Sequence, residues 1–302
     1  MPPLESWFMP LSLLNPTTKL NPLLLAGSMA ALTYAGICYT LYSYQTKLIY
    51  RPLPDLIKTP ADTGLAYEDI WIPIPHSQSK LHAWWIPNPG SNRVLLFCHG
   101  NYGNISYNTE RIRFHHSQGC SVLAFDYRGY GQSSGPSPSE PAIFADAEAA
   151  WQYLTSTRHI APHNITICGH SIGGAVAIHL ASQHPKVNRL IVESSFTSMH
   201  DAVITKNIYR AFPIDQLLTE SFNSLSKVQE LSMPVLYVHG DQDFDVPVDF
   251  SKRLYAATPN PKQLFIAPGA DHNIESLAGP TYAAVLQDFY KTEQAINQLQ
   301  SA

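Results

Sequence analysis

The sequence predicts an α/β fold, in which a mostly parallel central sheet carries helices on both faces and follows one N-terminal transmembrane helix. From Tyr67 onwards, short apolar runs alternate with helix-like stretches that glycine and proline separate, which is typical of α/β architecture. Most of these runs are continuously apolar, as expected where helices cover both faces of a sheet. Charged residues make up 14% of the 302 residues and hydrophobic residues 45%, so the chain can bury a large core.

Composition also excludes some classes of partner. The formal net charge of -4 gives no basic surface for a phosphate backbone, so nucleic acid is not expected as a partner. The four cysteines form no CxxC motif and no Cys/His spacing typical of metal ligands, so we expect free thiols, no metal and no cofactor. Free thiols favour a reducing compartment.

The first predicted element is a membrane anchor. Residues 23–44 run 22 residues without a charge, and as a helix they reach about 33 Å, enough to cross a hydrocarbon core of about 30 Å. Tyr39, Tyr42 and Tyr44 cluster at one end, as in an interfacial aromatic belt. A cleaved signal peptide would have a basic start and a shorter apolar stretch. A buried core helix would have no place in the predicted fold. Residues 1–22 are therefore an N-terminal tail and residues 23–44 a single-pass anchor.

The segments that flank the anchor predict its orientation. Lys19 precedes the anchor, whereas Lys47, Arg51 and Lys58 follow it, so the positive-inside rule favours a cytoplasmic catalytic domain. Three prolines between residues 45 and 66 predict a stiff linker. Residues 67–302 then form the catalytic domain.

The predicted elements of this domain follow in order. EDIWIP (68–73) and LHAWWIP (81–87) alternate like half-exposed strands and predict an antiparallel hairpin. Six buried strands are expected at RVLLFC (93–98), SVLAFD (121–126), NITICG (164–169), RLIVES (189–194), PVLYVHG (234–240) and KQLFIAP (262–268). Helices are expected near residues 108–119, 140–156, 171–184, 249–257 and 280–296.

One motif stands between a predicted strand and a predicted helix. Residues 169–173 read Gly-His-Ser-Ile-Gly, which is the G-x-S-x-G pattern of a nucleophile elbow in the required strand–turn–helix context. The turn is too sharp for side chains beside the serine, and the helix N-terminus turns N–H groups towards developing negative charge. Ser171 is therefore the predicted nucleophile rather than an ordinary helix-capping serine.

A serine nucleophile needs a histidine base, and thirteen histidines are candidates. His272 lies in GADHN (269–273), between the last predicted strand and the last helix, in a loop that faces the same sheet edge as the elbow. Pro162 separates His159 from His163 and spoils the helical face that a metal pair would need. The histidines in predicted helices are expected to be surface or packing residues: His115, His116, His179 and His184.

The carboxylate that orients this histidine is expected after the preceding strand. HGDQDFDVP (239–247) offers three aspartates, of which Asp243, the middle one, is the predicted catalytic acid. Asp241 and Asp245 are expected to form turns or face solvent, and Asp271 to be structural. Glu193, at the end of its own strand, remains an alternative acid.

Two backbone N–H groups should stabilise an oxyanion. The residue after the nucleophile, Ile172, supplies one, and the glycine-rich loop at residues 99–104 supplies the other. We assign the second donor to Asn101, with Tyr102 as an alternative. The loop lacks GxGxxG and a following lysine, so it does not resemble a phosphate-binding loop.

These residues together resemble a known family. FCHGNYGN, FDYRGYGQSSG, CGHSIGGAVA, ESSFTS, HGDQDFDVP and GADHN occur in the order typical of the α/β-hydrolase superfamily, between about residues 48 and 291. The resemblance is to its membrane-anchored, lid-poor branch, which includes the alpha/beta-hydrolase domain-containing proteins and protein depalmitoylases. It implies an acyl-enzyme mechanism and structural roles for Asp126 and Arg128. The chain lacks the N-terminal cysteine cluster of palmitoyl-anchored depalmitoylases.

The stretch between the predicted strands at residues 189–194 and 234–240 is short, which bears on the class of substrate. Residues 199–233 are too few for a large helical cap, so we expect an open site that accepts lipid or protein-bound acyl esters or thioesters at the membrane. A serine at the elbow excludes haloalkane dehalogenase and epoxide hydrolase chemistry, which uses aspartate there. A serine peptidase and a non-catalytic membrane scaffold remain alternatives, although a scaffold should have lost a triad member.

Overall fold

A computed structural model describes residues 21–300, with side-chain detail outside residues 275–278 and 292–300. The predicted tail, residues 1–22, lies outside the described residues except for its last two. The chain divides into two compact units, Met1–Ser43 and Tyr44–Ala302.

Helix α1 (Pro22–Ile49) contains the whole predicted anchor and continues five residues beyond it. In the described part of the chain it is the one helix long and apolar enough to cross a membrane, with a mean hydropathy of 1.4 and no burial in its most apolar stretch. Thr33 and Thr40 donate their hydroxyls to the carbonyls of Met29 and Gly36, one turn earlier. The helix thus satisfies these polar side chains internally, which a hydrocarbon environment requires.

An eight-stranded sheet forms the centre of the second unit. Its strands lie in the order β10-β9-β8-β7-β4-β6-β3-β2. The hairpin β2–β3 is antiparallel as predicted, β3 also runs antiparallel to β6, and all other neighbours are parallel. The bounds are β2 Glu68–Pro73, β3 Lys80–Ile86, β4 Val94–Cys98, β6 Ser121–Phe125, β7 Ile165–His170, β8 Arg189–Glu193, β9 Val235–Gly240 and β10 Lys262–Ala267.

The five predicted helices occur within a few residues of their predicted bounds, except that the last one begins earlier, and three short helices between β8 and β9 were not predicted. Helix α9 begins at Ile274, six residues before the predicted start, and contains Pro280, which costs it one backbone hydrogen bond. The remaining helices are α2 Thr109–Ser117, α3 Glu140–Gln152, α4 Ile172–Gln183, α5 Met199–Ile204, α6 Ile214–Leu217, α7 Ser224–Lys227 and α8 Asp249–Ala257.

Both faces of the sheet are buried, which explains the continuous apolar runs. Along β4, Leu96 packs into one hydrophobic cluster, and its neighbours Leu95 and Phe97 pack into the other. All three side chains are fully buried. The helices that cover the two faces therefore leave the loops at the strand ends as the place for chemistry.

The predicted linker is partly regular structure. Residues 45–49 complete α1, and strand β1 (Arg51–Pro52) pairs in parallel with β5 (Tyr102–Gly103). Leu53 also donates its N–H to the Gly103 carbonyl at 3.0 Å. This backbone pairing joins the start of the predicted stiff linker to the loop after β4.

Candidate active site

Ser171 lies at the sharp turn between β7 and α4. Its backbone adopts φ 56° and ψ −123°, a conformation that is strained for a residue with a side chain. The Ser171 N–H donates to the Glu193 carbonyl at 2.9 Å, and the Ser195 hydroxyl donates to the Ser171 carbonyl at 2.8 Å. Bonds on both sides of the residue therefore hold the strained turn.

The glycines of the motif make this turn possible. A Cβ at Gly169 would lie 2.0 Å from the Gly173 carbonyl oxygen, and a Cβ at Gly173 would lie 2.1 Å from the Cys98 carbonyl oxygen. No real side chain tolerates such distances. The glycines allow the first turn of α4 to pack directly against the ends of β7 and β4.

His272 and Asp243 are brought together as the sequence predicts. His272 Nδ1 lies 2.7 Å from Asp243 Oδ2, and Asp243 Oδ1 accepts the N–H groups of Asp245 at 3.0 Å and Val246 at 2.8 Å. Burial disfavours the charged carboxylate, but these bonds and one from His239 outweigh it and hold the pKa of Asp243 well below its ordinary value. The Asp243 carboxylate is therefore ionised at neutral pH.

His170 connects the two parts of the site. Its Nε2 lies 3.0 Å from the His272 carbonyl oxygen, and the centres of the two rings are 4.6 Å apart. Burial lowers the pKa of His170 well below its ordinary value, so the neutral ring donates its Nε2–H to that carbonyl. The bond fixes the His272 backbone beside the residue that precedes Ser171.

The loop after β4 packs against the elbow. A Cβ at Gly100 would lie 3.5 Å from the Ser171 Cβ. His99 Nδ1 lies 2.7 Å from the Gly100 carbonyl oxygen, whose peptide unit carries the Asn101 N–H. As the first residue of α4, Ile172 has no intrahelical acceptor for its own N–H. The two predicted oxyanion donors thus belong to segments that adjoin Ser171.

Comparison with known proteins identifies the family of this chain. Residues 93–222 match the family model for the alpha/beta hydrolase fold. An alpha/beta hydrolase domain-containing protein of Arabidopsis thaliana is 35% identical over 268 residues, covering 81% of this chain and 86% of that protein. The chain belongs to the alpha/beta hydrolase family.

One further relative and one solved structure of similar fold add to the comparison. An uncharacterized membrane protein of Saccharomyces cerevisiae is 32% identical over 276 residues, covering 87% of this chain and 94% of that protein. The crystal structure of an esterase from Pyrococcus furiosus superposes with a TM-score of 0.66 at 22% identity, covering 81% of this chain and 98% of that one. The esterase shares the fold, and the yeast relative agrees with membrane association of the apolar helix.

The alternative acid, Glu193, lies in a different set of contacts. Its carboxylate accepts from His115 Nε2 at 3.0 Å and from the Tyr282 hydroxyl at 2.5 Å, and it forms an ion pair with Arg111 Nε at 3.2 Å. His115, Cys168 and Glu193 place three possible metal-ligand atoms within 4.8 Å of one another. A cation there would compete with the arginine that already balances the carboxylate.

The other acidic residues near the site shape its loops. Asp241 Oδ1 accepts the Gly269 N–H at 2.7 Å, and Asp271 Oδ1 accepts the Asn273 N–H at 2.8 Å. Asp126 accepts the Ile105 N–H at 2.8 Å, and Arg128 forms a two-pronged ion pair with Asp146. These contacts agree with the structural roles expected for Asp126, Arg128 and Asp271.

Sequence reasoning missed three histidines that support the site, His99, His170 and His239. His239 Nε2–H donates to the Val246 carbonyl at 2.8 Å and lies 3.2 Å from Asp243 Oδ2, while its Nδ1 bonds with the Ser251 hydroxyl at 2.7 Å. A usable signal was present for two of them, because β4 leads into a His-Gly pair at 99–100 and β9 ends in one at 239–240. A histidine followed by a close-packed glycine at a strand end can bond to the loop that follows.

Proposed function

We propose that this hydrolase cleaves carboxylic esters or thioesters through an acyl-enzyme on Ser171. The observation that carries the proposal is the 2.7 Å contact between His272 Nδ1 and the buried Asp243 carboxylate. In this contact the Nδ1–H of His272 donates to the carboxylate, which leaves Nε2 as the basic nitrogen of the ring. A base oriented in this way beside a strained serine is the arrangement that acyl transfer requires.

The residues then act in sequence. The Ser171 hydroxyl attacks the acyl carbonyl while His272 Nε2 takes its proton, and Asp243 stabilises the imidazolium that forms. The oxyanion accepts the N–H groups of Ile172 and Asn101. His272 then protonates the departing alcohol or thiol, which leaves the acyl group on Ser171.

Deacylation uses the same residues. A water molecule attacks the acyl-serine carbonyl while His272 takes its proton, and the collapse of the second tetrahedral intermediate returns the proton to Ser171 and releases the carboxylic acid. The His272 side chain is 20% exposed and Asp243 is fully buried, so water can reach the base but not the acid that orients it. By analogy with measured cases, each N–H donor to the oxyanion raises kcat by about 10²- to 10³-fold.

The substrate we propose is a lipid ester or an acylated protein at a membrane. The length and apolar composition of helix α1 support a membrane anchor. The shortness of helices α5, α6 and α7 supports an open site. Large exposed side chains stand beside two site residues: Phe244, 84% exposed, follows Asp243, and Tyr102, 49% exposed, follows Asn101. Lys47, Arg51 and Lys58 follow the anchor, and by the positive-inside rule they support a cytoplasmic catalytic domain.

Covalent labelling tests the reaction class. A fluorophosphonate should label the full chain, and Ser171→Ala should abolish labelling and lower kcat by more than about 10⁴-fold. Labelling that survives the substitution would place the nucleophile elsewhere. Matched ester, thioester and amide substrates distinguish an esterase from a peptidase, and failure to label at all would favour the scaffold.

A tethering experiment tests the substrate class. The full chain in liposomes is compared with a chain beginning at Tyr44, on one long-chain acyl substrate embedded in the same liposomes. Tethering raises the effective concentration of membrane substrates, so the full chain should be faster at equal enzyme concentration. Equal rates would favour a water-soluble substrate.

A further inference from the structure

The segment that follows the apolar helix is bound to the catalytic domain by both side-chain and backbone hydrogen bonds. We call residues 45–52, the last turn of α1 together with β1, the juxtamembrane segment. Gln45 is the one residue of α1 that the structure buries, with 8% of its surface exposed, and Tyr50 is 3% exposed. A flexible tether would leave such side chains in solvent, so their burial indicates a fixed contact.

The first attachment is to the loop that carries the second oxyanion donor. Arg51 N–H donates to the Asn101 carbonyl at 2.9 Å, and the Asn101 side-chain amide donates to the Ile49 carbonyl at 2.9 Å. The hydroxyl of Tyr130 donates to the same Asn101 carbonyl at 2.9 Å. Two of these three bonds therefore join Asn101 to the juxtamembrane segment.

The second attachment is to the short helices above the sheet. Gln45 donates its amide N–H to the Leu217 carbonyl at 3.0 Å and accepts the Thr219 N–H at 2.8 Å. The Tyr50 hydroxyl donates to the Glu220 carboxylate, which also accepts the Glu140 N–H at 2.6 Å. The juxtamembrane segment thus joins the oxyanion loop to the residues between α6 and α7.

We propose that the juxtamembrane segment positions the oxyanion hole of this hydrolase. The inference rests on the proposed function and deepens it: the chain directly after the anchor holds the Asn101 backbone in place. Its residues act through Asn101 and do not themselves touch the substrate.

The expected effect of losing this support is kinetic. An oxyanion donor acts on the transition state, where the carbonyl oxygen gains its charge, and contributes little to substrate binding. A displacement of about 1 Å can lower the rate about 10²-fold. Loosening the juxtamembrane segment should therefore lower kcat and leave KM nearly unchanged.

A matched pair of variants at one position tests the proposal in the full chain. Arg51→Pro removes the N–H that bonds to Asn101, whereas Arg51→Ala keeps that N–H and removes only the exposed side chain. Fluorophosphonate labelling counts the competent sites in each preparation. We expect kcat per labelled site to be about 10- to 100-fold lower in Arg51→Pro than in Arg51→Ala, with KM within about threefold.

A purely structural role would give another pattern. It would reduce the number of labelled sites and leave kcat per site unchanged, and this result, or equal kcat in the two variants, would overturn the proposal. If Arg51→Pro yields no labelled protein, the variants Asn101→Asp and Asn101→Ala test the positioning role instead. Both remove the donor to the Ile49 carbonyl without a new proline and should lower kcat per site about 10-fold. Unchanged kcat in both overturns the proposal.

Ser171→Ala distinguishes failure of the positioning role from failure of the proposed function. If it abolishes turnover while the Arg51 and Asn101 variants keep full kcat, the positioning role alone is wrong. If Ser171→Ala remains active, the proposed function itself is wrong.

Discussion

Asp243 and Glu193 are buried carboxylates that follow or end neighbouring strands, β9 and β8, and each is bound to a histidine. Asp243 lies 2.7 Å from His272, whose side chain is 20% exposed, and its other oxygen accepts two backbone N–H groups. Glu193 lies 3.0 Å from His115, which is 1% exposed, and forms an ion pair with the buried Arg111. A carboxylate next to a histidine is thus not enough to define a catalytic pair.

The difference between the two lies in their counter-charges. Burial opposes the ionisation of Glu193, but His115, Arg111 and Tyr282 outweigh it and hold the pKa of the carboxyl below its ordinary value. Its charge is balanced by an arginine, which remains protonated at any working pH. Among the described residues, the Asp243 carboxylate is bound by His272, His239 and two backbone N–H groups rather than by an arginine, so it can stabilise a proton that arrives on His272. One pair therefore stabilises the fold, and the other suits proton transfer.

The largest effect that tests this contrast is on turnover. Asp243→Asn should lower kcat by about 10⁴-fold, because an amide beside Nδ1 favours the tautomer that leaves Nε2 protonated and unable to accept the serine proton. Steady-state kinetics on a soluble ester, with circular dichroism to check folding, measures it. Near-full activity in Asp243→Asn together with loss in Glu193→Gln would reverse the assignment.

The second effect is on stability. Glu193→Gln should keep kcat within a few-fold but lower the free energy of unfolding by about 3 to 5 kcal/mol, because it leaves Arg111 buried without its counter-charge. Urea unfolding of this variant and of Asp243→Asn gives the comparison. If Asp243→Asn is the less stable of the two, the division between a structural and a catalytic carboxylate is wrong.

The predicted nucleophile and base lie in short local patterns that can be recognised in the sequence. Ser171 stands in a five-residue motif between a strand and a helix, and His272 in a loop between the last strand and the last helix. The sequence favours Asp243, which follows the strand before the one that leads to His272, but it leaves Glu193 as an alternative because both carboxylates occur at the same edge of the sheet. The direction of the side chains in the structure then shows that Asp243 contacts His272 and that Glu193 contacts His115.

The contacts of the juxtamembrane segment could not be predicted from the sequence, for another reason. Strand β1 has two residues and pairs with a two-residue strand about fifty positions away, so neither shows a periodic pattern. The three prolines between residues 45 and 66 favoured a stiff linker. The N–H groups that donate to Asn101 and Gly103 belong to Arg51 and Leu53, the neighbours of Pro52, so the missing N–H of this proline costs neither bond. Long-range backbone pairing of this kind is visible only in the folded chain.

The third effect is the pH dependence of the Glu193 contribution. A carboxyl whose pKa is lowered by folding adds stability above its unfolded pKa, about 4.3 for glutamate, and loses it as the pH falls through the folded pKa. The stability difference between the natural chain and Glu193→Gln should therefore shrink from about pH 5 towards about pH 3. Urea titrations at several pH values measure it, and a constant difference would show that packing, not charge, holds Glu193.

The smallest effect is expected at Asp241, a third carboxylate, on the loop that also carries Asp243. Its Oδ1 accepts the Gly269 N–H at 2.7 Å, which joins the loop after β9 to the loop that carries His272. Asp241→Ala should lower the free energy of unfolding by only about 0.5 to 1.5 kcal/mol, because the exposed Gly269 N–H can bond to water instead. Asp241→Asn keeps an acceptor oxygen and should restore most of that loss. Thermal unfolding and kcat of both variants test the contrast with Asp243. If Asp241→Asn loses turnover as Asp243→Asn does, the charge on Asp241 also acts on His272. The catalytic acid would then be a pair of carboxylates rather than one.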